Sequence, residues 1–208
     1  MPFNPSSLER MKAVTRIHWR WACAAAAAAL AGTAWAAPAT YKLDPDHTFP
    51  SFEADHMGGV SVWRGKLNKS SGTVTLDKAD GSGSVDIAID LSSIDFGQNQ
   101  LNAWARGDAF FNVERHPQAT YKGRFDGTAS GMPTQVLGDL TLHGVTKPVV
   151  LKINSLKCIP HPLFKRELCG ADAVASFNRD DFGLDVGKAW GFKMEVLLRI
   201  QVEALALP

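Results

Sequence analysis

The feature that most constrains this chain is an apolar–polar alternation with a period of two, broken at intervals by turn chemistry. In 138–153, GDLTLHGVTKPVVLKI, Leu140 and Leu142 alternate with polar neighbours. After a turn-like HGVTKP, Val149, Leu151 and Ile153 do the same. Successive side chains of an extended strand point to opposite faces, so this stretch predicts two antiparallel strands sharing one apolar face. The pattern recurs at Phe52, Ala54 and His56, at Val74 and Leu76, and at Val85, Ile87, Ile89 and Leu91. It returns at Ala119, Tyr121, Gly123 and Phe125, and again from Met194 through Val196, Leu198, Ile200 and Val202. HMGG, NKSSG, ADGSGS and DGTASGMP separate these runs. Short alternating strands at near-regular spacing predict an antiparallel sandwich or barrel. The one helical interruption is predicted at 99–115, ended by Pro117. About eight strands can close into a barrel whose interior is either filled by side chains or holds one small ligand, and periodicity does not choose between them.

The N-terminus is read separately. Lys12, Arg16 and Arg20 precede the apolar run WACAAAAAALA, and AWA at 34–36 has the small-x-small form of a cleavage site. The run is shorter than the ~20 residues a bilayer span needs. Residues 1–36 are therefore expected to be a signal peptide cleaved after Ala36, with Met11 a better start than Met1; an uncleaved amphipathic anchor is the alternative. One domain, 37–208, would remain, exported to the periplasm. The leader holds four Lys/Arg and one Asp/Glu, and taking its +3 from the whole chain's +1 leaves −2. Such a balance gives no basic footprint for nucleic acid or for an anionic membrane surface. Cys158 and Cys169 are the only cysteines past the leader, and an oxidising compartment predicts a disulfide between them.

Chemistry-bearing motifs are scarce. The chain has no G-x-S-x-G and no H-E-x-x-H, and no catalytic residue is assigned. His47, His56, His116, His143 and His161 show neither H-x-H nor H-x-x-x-H spacing, and no metal site is assigned, although strands can assemble one across a sheet. His47, after DPD, is expected to stabilise a turn. In NRDDFG (178–183), Asn178, Arg179 and Asp181 are expected to fix a strand turn.

Taken in order, YKLDPDHTFPSFEADHMGG, GKLNKSSGTVTLD, SVDIAIDLSSIDFG, LNAWARGDAFFNVERHPQATYKG, GDLTLHGVTKPVVLKI and NRDDFGL resemble the YceI-like family of periplasmic polyisoprenoid- or lipid-binding proteins. The resemblance spans essentially all of 41–204. It implies an all-β, lipocalin-like barrel of eight antiparallel strands with one short helical segment, around an apolar tunnel. The implied ligand is a polyisoprenoid such as an isoprenoid quinone, or another long-chain amphiphile, with no other cofactor. A membrane b-type cytochrome is an implied partner. Pro50 stands where the family commonly carries an inward-facing valine, and Trp104 lies near a position often held by histidine.

On that reading Ile87, Ile89, Leu140, Leu142 and Leu151 line the tunnel, with Phe52 and Tyr121 on the same inward faces. His56 is a polar group inside, either bonding a ligand oxygen or satisfied within the core. Phe110 and Phe111 form a plug or lid at one mouth, where Trp63, Trp104 and Trp190 would also sit, and Phe182 joins the ligand contacts. The leading function is a carrier or store without a chemical step. The alternative is an enzyme or stress-response protein acting on a lipid or oxidant.

Overall fold

In the computed structural model, which describes residues 38–208, eleven antiparallel segments close into a ring of eight wall strands. The expected leader 1–36 and its cleavage site after Ala36 lie outside the described residues. The segments are β1 (Ala39–Leu43), β2 (Phe49–His56), β3 (Ser61–Leu67), β4 (Ser70–Leu76), β5 (Gly83–Asp90), β6 (Ile94–Asp95), β7 (Gln118–Ala129), β8 (Met132–Leu142), β9 (Val145–Pro160), β10 (Glu167–Asn178) and β11 (Glu195–Ala206). β1 and β2 lie end to end along β11, with Tyr41 opposite Ala206 and Ala54 opposite Val196. On their other side β1 pairs with β4 and β2 with β3, while β5 and β6 continue the wall beside β4 and β3. Each of these three couples is one wall strand interrupted by a bend, and β7 to β11 supply the other five. The β1–β11 pairing closes the ring, which removes the sheet edges that an open sheet would expose.

The bends have local causes. Between β1 and β2, His47 Nδ1 lies 2.8 Å from Asp44 Oδ2 and the Asp46 amide donates to Asp44 Oδ1, which folds the chain into the turn expected at His47. Between β5 and β6, Asp90 accepts from the Ser92 amide at 2.8 Å, an aspartate side chain substituting for a backbone acceptor. Among the described residues one α-helix, α1 (Asn99–Arg106), follows β6. It is shorter than the predicted 99–115. Its last turn ends where the Gly107 amide donates to the Trp104 carbonyl and Gly107 turns extended. From there Phe110 and Asn112 donate to Gly107 and Phe111 to Ala105, a series of turns rather than a continued helix.

The alternation seen in the sequence becomes the inside–outside alternation of the wall. On β9, Val149 is buried and Val150 is half exposed. The β9–β10 register shifts between Asp172 and Ala173, leaving Asn154 as an extra residue. The bulge moves the inward parity from Val149, Leu151 and Ile153 to Leu156, so Cys158 and Cys169 face one another near the end of the hairpin and form the disulfide. Two glycines make room for aromatic rings on the inner wall. A side chain at Gly65 would meet the Phe52 ring 2.5 Å away, and one at Gly138 would meet the Tyr121 hydroxyl at 2.7 Å. Among the described residues no helix is long and apolar enough to cross a membrane.

Candidate functional site

The ring encloses a cavity of about 580 Å³. That is well above the ~150 Å³ of an engineered cavity that binds benzene, and within the ~300–1,000 Å³ range of small-molecule sites. The lining is overwhelmingly aliphatic and aromatic and comes from every wall strand. A filled barrel of eight strands would leave no such space, so the interior is an open chamber and not a core packed solid.

The two ends differ. At one end the lining residues are buried: Tyr41, Leu43 and Leu76 close the floor beside Cys169 and Ala204. The Tyr41 hydroxyl donates to Glu167 Oε2 at 2.6 Å, and Lys78 bonds the same carboxylate at 2.7 Å. Burial and then the Glu167 contact push the Tyr41 phenol pKa upward, so it is held neutral. At the other end the lining reaches water through Trp190, 71 % exposed, and Trp104, 38 % exposed. This end is the mouth, and it is built of stacked rings. His56 stacks on Trp63 at 4.2 Å between centroids, with Phe192 edge-on at 4.9 Å. Across the mouth Phe110 stacks on Trp104 at 5.1 Å and meets Phe111 edge-on at 4.7 Å.

Arg179 anchors this rim. It is buried and donates two hydrogen bonds, to the Leu184 and Val186 carbonyls, while its guanidinium lies 5.9 Å from the Phe110 ring centroid. Burial lowers its pKa against the opposing pull of Asp180, Asp185 and Asp55, yet an arginine stays charged. Arg179 thus has the turn-fixing role expected of it in NRDDFG, whereas the Asn178 side chain makes no capping hydrogen bond and it is Asp180, not Asp181, that pairs with a neighbour, Lys188. The aromatic mouth therefore rests on a charge whose hydrogen bonds go to the backbone.

The structure brings most of the expected ligand contacts into one lining: Phe52, His56, Trp63, Ile87, Ile89, Phe110, Phe111, Tyr121, Leu140, Leu142, Leu151 and Trp190 all border the cavity. Phe182 does not. It sits in the short turn after β10, 1 % exposed, with its ring edge-on to Phe177 at 5.3 Å, and it is Phe177 that reaches the cavity. Sequence reasoning passed over Tyr41, Thr48, Ser70, Phe96, Arg179 and Phe192, which also line it. Phe96 and Phe192 lie outside regular alternation, and a search for apolar periodicity skips Thr48 and Ser70. Pro50 lines the cavity on β2, inward-facing as the expected valine would be.

Polar groups inside are few and mostly committed. Thr48 Oγ1 bonds the Glu203 carbonyl and amide, both at 3.2 Å. The Tyr121 hydroxyl donates to the Val149 carbonyl at 2.8 Å, and burial pushes its pKa to about 12. Outside the cavity, Asp44, His47 and Glu203 bring three potential metal-ligand atoms within 4.8 Å. His116 and His143, distant in sequence, come to 4.4 Å between ring centroids.

A closed antiparallel barrel around one apolar chamber with an aromatic mouth defines a binding barrel of the lipocalin-like type. More specifically, residues 41–204 match the YceI-like domain, and the chain belongs to that family. A UPF0312 protein of Pseudomonas aeruginosa is 32 % identical over 180 residues, covering 84 % of this chain and 90 % of the relative. One of Yersinia pestis is 33 % identical over 175 residues, covering 82 % and 88 %. Among solved structures, BcnA of Burkholderia cenocepacia superposes with a TM-score of 0.60 at 23 % identity, covering 78 % of this chain and 99 % of that one. A polyisoprenoid binding domain from Saccharophagus degradans gives a TM-score of 0.59 at 20 % identity, covering 80 % and 98 %. At these identities the two structures speak to the fold.

Proposed function

We propose that this chain is a periplasmic carrier or store for a polyisoprenoid, such as an isoprenoid quinone, or another long-chain amphiphile. The observation that carries the reading is the enclosed cavity of about 580 Å³, lined almost wholly by apolar side chains and open at an aromatic mouth. Each methylene moved from water into such a lining contributes roughly 0.8 kcal/mol, so a long chain binds tightly with few polar contacts. The polyisoprenoid binding domain among its structural neighbours points the same way. The leader read at 1–36 supports export, and a membrane b-type cytochrome as partner rests on the family resemblance. The enzymatic alternative finds little in the cavity to work with, since Thr48, Tyr121 and Arg179 are committed to backbone atoms.

The test is organic extraction of protein purified from the native compartment, followed by mass spectrometry. A stoichiometric long-chain lipid is expected. A protein that yields none, and that takes up no isoprenoid alcohol after delipidation, would overturn the reading.

A further inference from the structure

On the outside of the barrel, where the bend between β1 and β2 crosses β11, Asp44, His47 and Glu203 each bring one potential metal-ligand atom within 4.8 Å of the others. None of the three borders the cavity. Their backbones are tied together. The Asp44 amide donates to the Glu203 carbonyl at 2.9 Å, and the His47 amide donates to the Asp44 carbonyl at 3.3 Å. The buried Thr48 hydroxyl donates to that same Glu203 carbonyl and accepts from the Glu203 amide. The two carboxylates lack a strong cationic partner. Among the described residues Asp44 pairs only with His47, and the Glu203 side chain takes part in no hydrogen bond or ion pair. Glu203 is half-buried on β11 beside Gly170 of β10, where a Cβ would lie 3.7 Å from its Cγ. Two carboxylates held near one another without a lysine or arginine repel, and a bound cation relieves that repulsion.

We propose that Asp44, His47 and Glu203 form a binding site for a divalent transition-metal ion of the zinc class. The inference stands apart from the lipid-carrier reading. One imidazole and two carboxylates suit zinc, with water in the fourth position, whereas calcium and magnesium take oxygen ligands in larger number. Zinc bonds of about 2.0–2.2 Å around a tetrahedral centre put ligand atoms roughly 3.3–3.5 Å apart. His47 Nδ1 and Asp44 Oδ2 stand at 2.8 Å, so small side-chain rotations suffice, and the His47 side chain is 61 % exposed and accessible to an ion from solution. In the metal-free state a proton bridges this histidine and aspartate. Zinc takes the place of that proton and draws in Glu203, so the ion joins the β1–β2 bend to the strand that closes the ring.

The experiment uses the untagged protein purified from its native compartment and stripped with a chelator, titrated calorimetrically with zinc chloride. Wild type is expected to bind one zinc ion per chain at micromolar concentration, and zinc should raise its melting temperature. Glu203→Gln is the informative variant, because the hydrogen bonds of Glu203 in the structure come from its backbone and the fold does not depend on its carboxylate. It should melt like wild type without zinc, bind zinc at least ten-fold more weakly and lose the zinc-dependent rise. His47→Ala removes the nitrogen ligand and should abolish binding. Because that variant also loses the turn hydrogen bond, the His47 ring resonances of wild type are followed by NMR as a second readout, and they should shift as zinc is added. Wild type that shows no saturable zinc binding up to millimolar concentration would overturn the inference. Zinc binding that Glu203→Gln leaves as tight, or that leaves the His47 resonances unmoved, would place the ion elsewhere and overturn it as well. Neither result touches the carrier reading.

Discussion

The Tyr121 hydroxyl donates to the Val149 carbonyl 2.8 Å away, reaching from β7 across β8 to β9. The ring passes over Gly138, where any side chain would lie 2.7 Å from the hydroxyl and 2.6 Å from the Lys122 carbonyl. Tyr121→Phe is expected to cost about 1 kcal/mol in urea unfolding, the ordinary worth of one hydrogen bond. Gly138→Ala should cost more, about 1–3 kcal/mol, because one of its clashes is with backbone that cannot rotate away. A neutral Gly138→Ala would show that the ring does not lie on the wall as described.

Leu140 gives a direct reading of whether the cavity is used. It is 7 % exposed, lines the cavity and lies opposite Tyr121 in the β7–β8 register. In a packed core Leu140→Trp would overpack by about 1–3 kcal/mol. Against an open chamber the indole has somewhere to go. The expected outcome is a melting temperature close to wild type with co-purified lipid lost. A destabilised variant that still carries lipid would place the ligand elsewhere.

The Cys158–Cys169 disulfide ties positions 11 residues apart at the end of the β9–β10 hairpin. In the chain-entropy model a loop of this size contributes roughly 3 kcal/mol. Replacing both cysteines with serine should lower the melting temperature while ligand still enters at the far, aromatic end. The check is denaturation with and without reductant: reductant should shift wild type and leave the double variant unmoved. Two alkylatable thiols in native protein would contradict the bond.

The pH profile follows from shifts of opposite sign. The hydrogen bond from Arg199 holds Glu53 below its usual range; the Gly97 amide and then Asn102 do so for Asp95, and Lys188 for Asp180. A carboxylate with a lowered folded-state pKa stabilises the fold above its unfolded value, here 3.8 for aspartate and 4.5 for glutamate, and loses that contribution as pH falls through the folded value. Asp44 raises His47 above 6.5, so its contribution is present below that value and fades as pH rises. Burial and then His143 lower His116 below 6.5, so its contribution is present above that value and fades as pH falls. The histidines oppose each other in one window. The melting temperature should stay nearly flat across neutral pH and drop below about pH 4. In an NMR titration His116 should protonate at lower pH than His47; the reverse order would contradict both contacts.

The wall was legible in the sequence because a strand has a strict period. Val85, Ile87, Ile89, Leu140, Leu142 and Leu151 line the cavity where the alternation put them. What stayed hidden depends on pairings that a linear pattern does not carry. Two of the three bends that split wall strands come from Asp44 and Asp90 bonding to nearby groups, and the parity flip at Asn154 comes from a register shift between two strands. The helix was overestimated because Phe110 and Phe111 continue an apolar pattern beyond Gly107, where the backbone has already turned. Phe182 was assigned to the ligand because an aromatic next to a turn motif reads the same whether it faces a cavity or the Phe177 ring. Thr48 and Ser70 were invisible to a search keyed on apolar residues, although they are among the few polar groups the cavity has.

The seam between Tyr41 and Ala206 has a consequence for how the molecule comes into being. The first and last strands of the barrel meet here, so the pocket is complete only when β11 is in place. Until β11 docks against β1, β2 and β10, the other strands form an open curl with two unpaired edges and an exposed greasy interior.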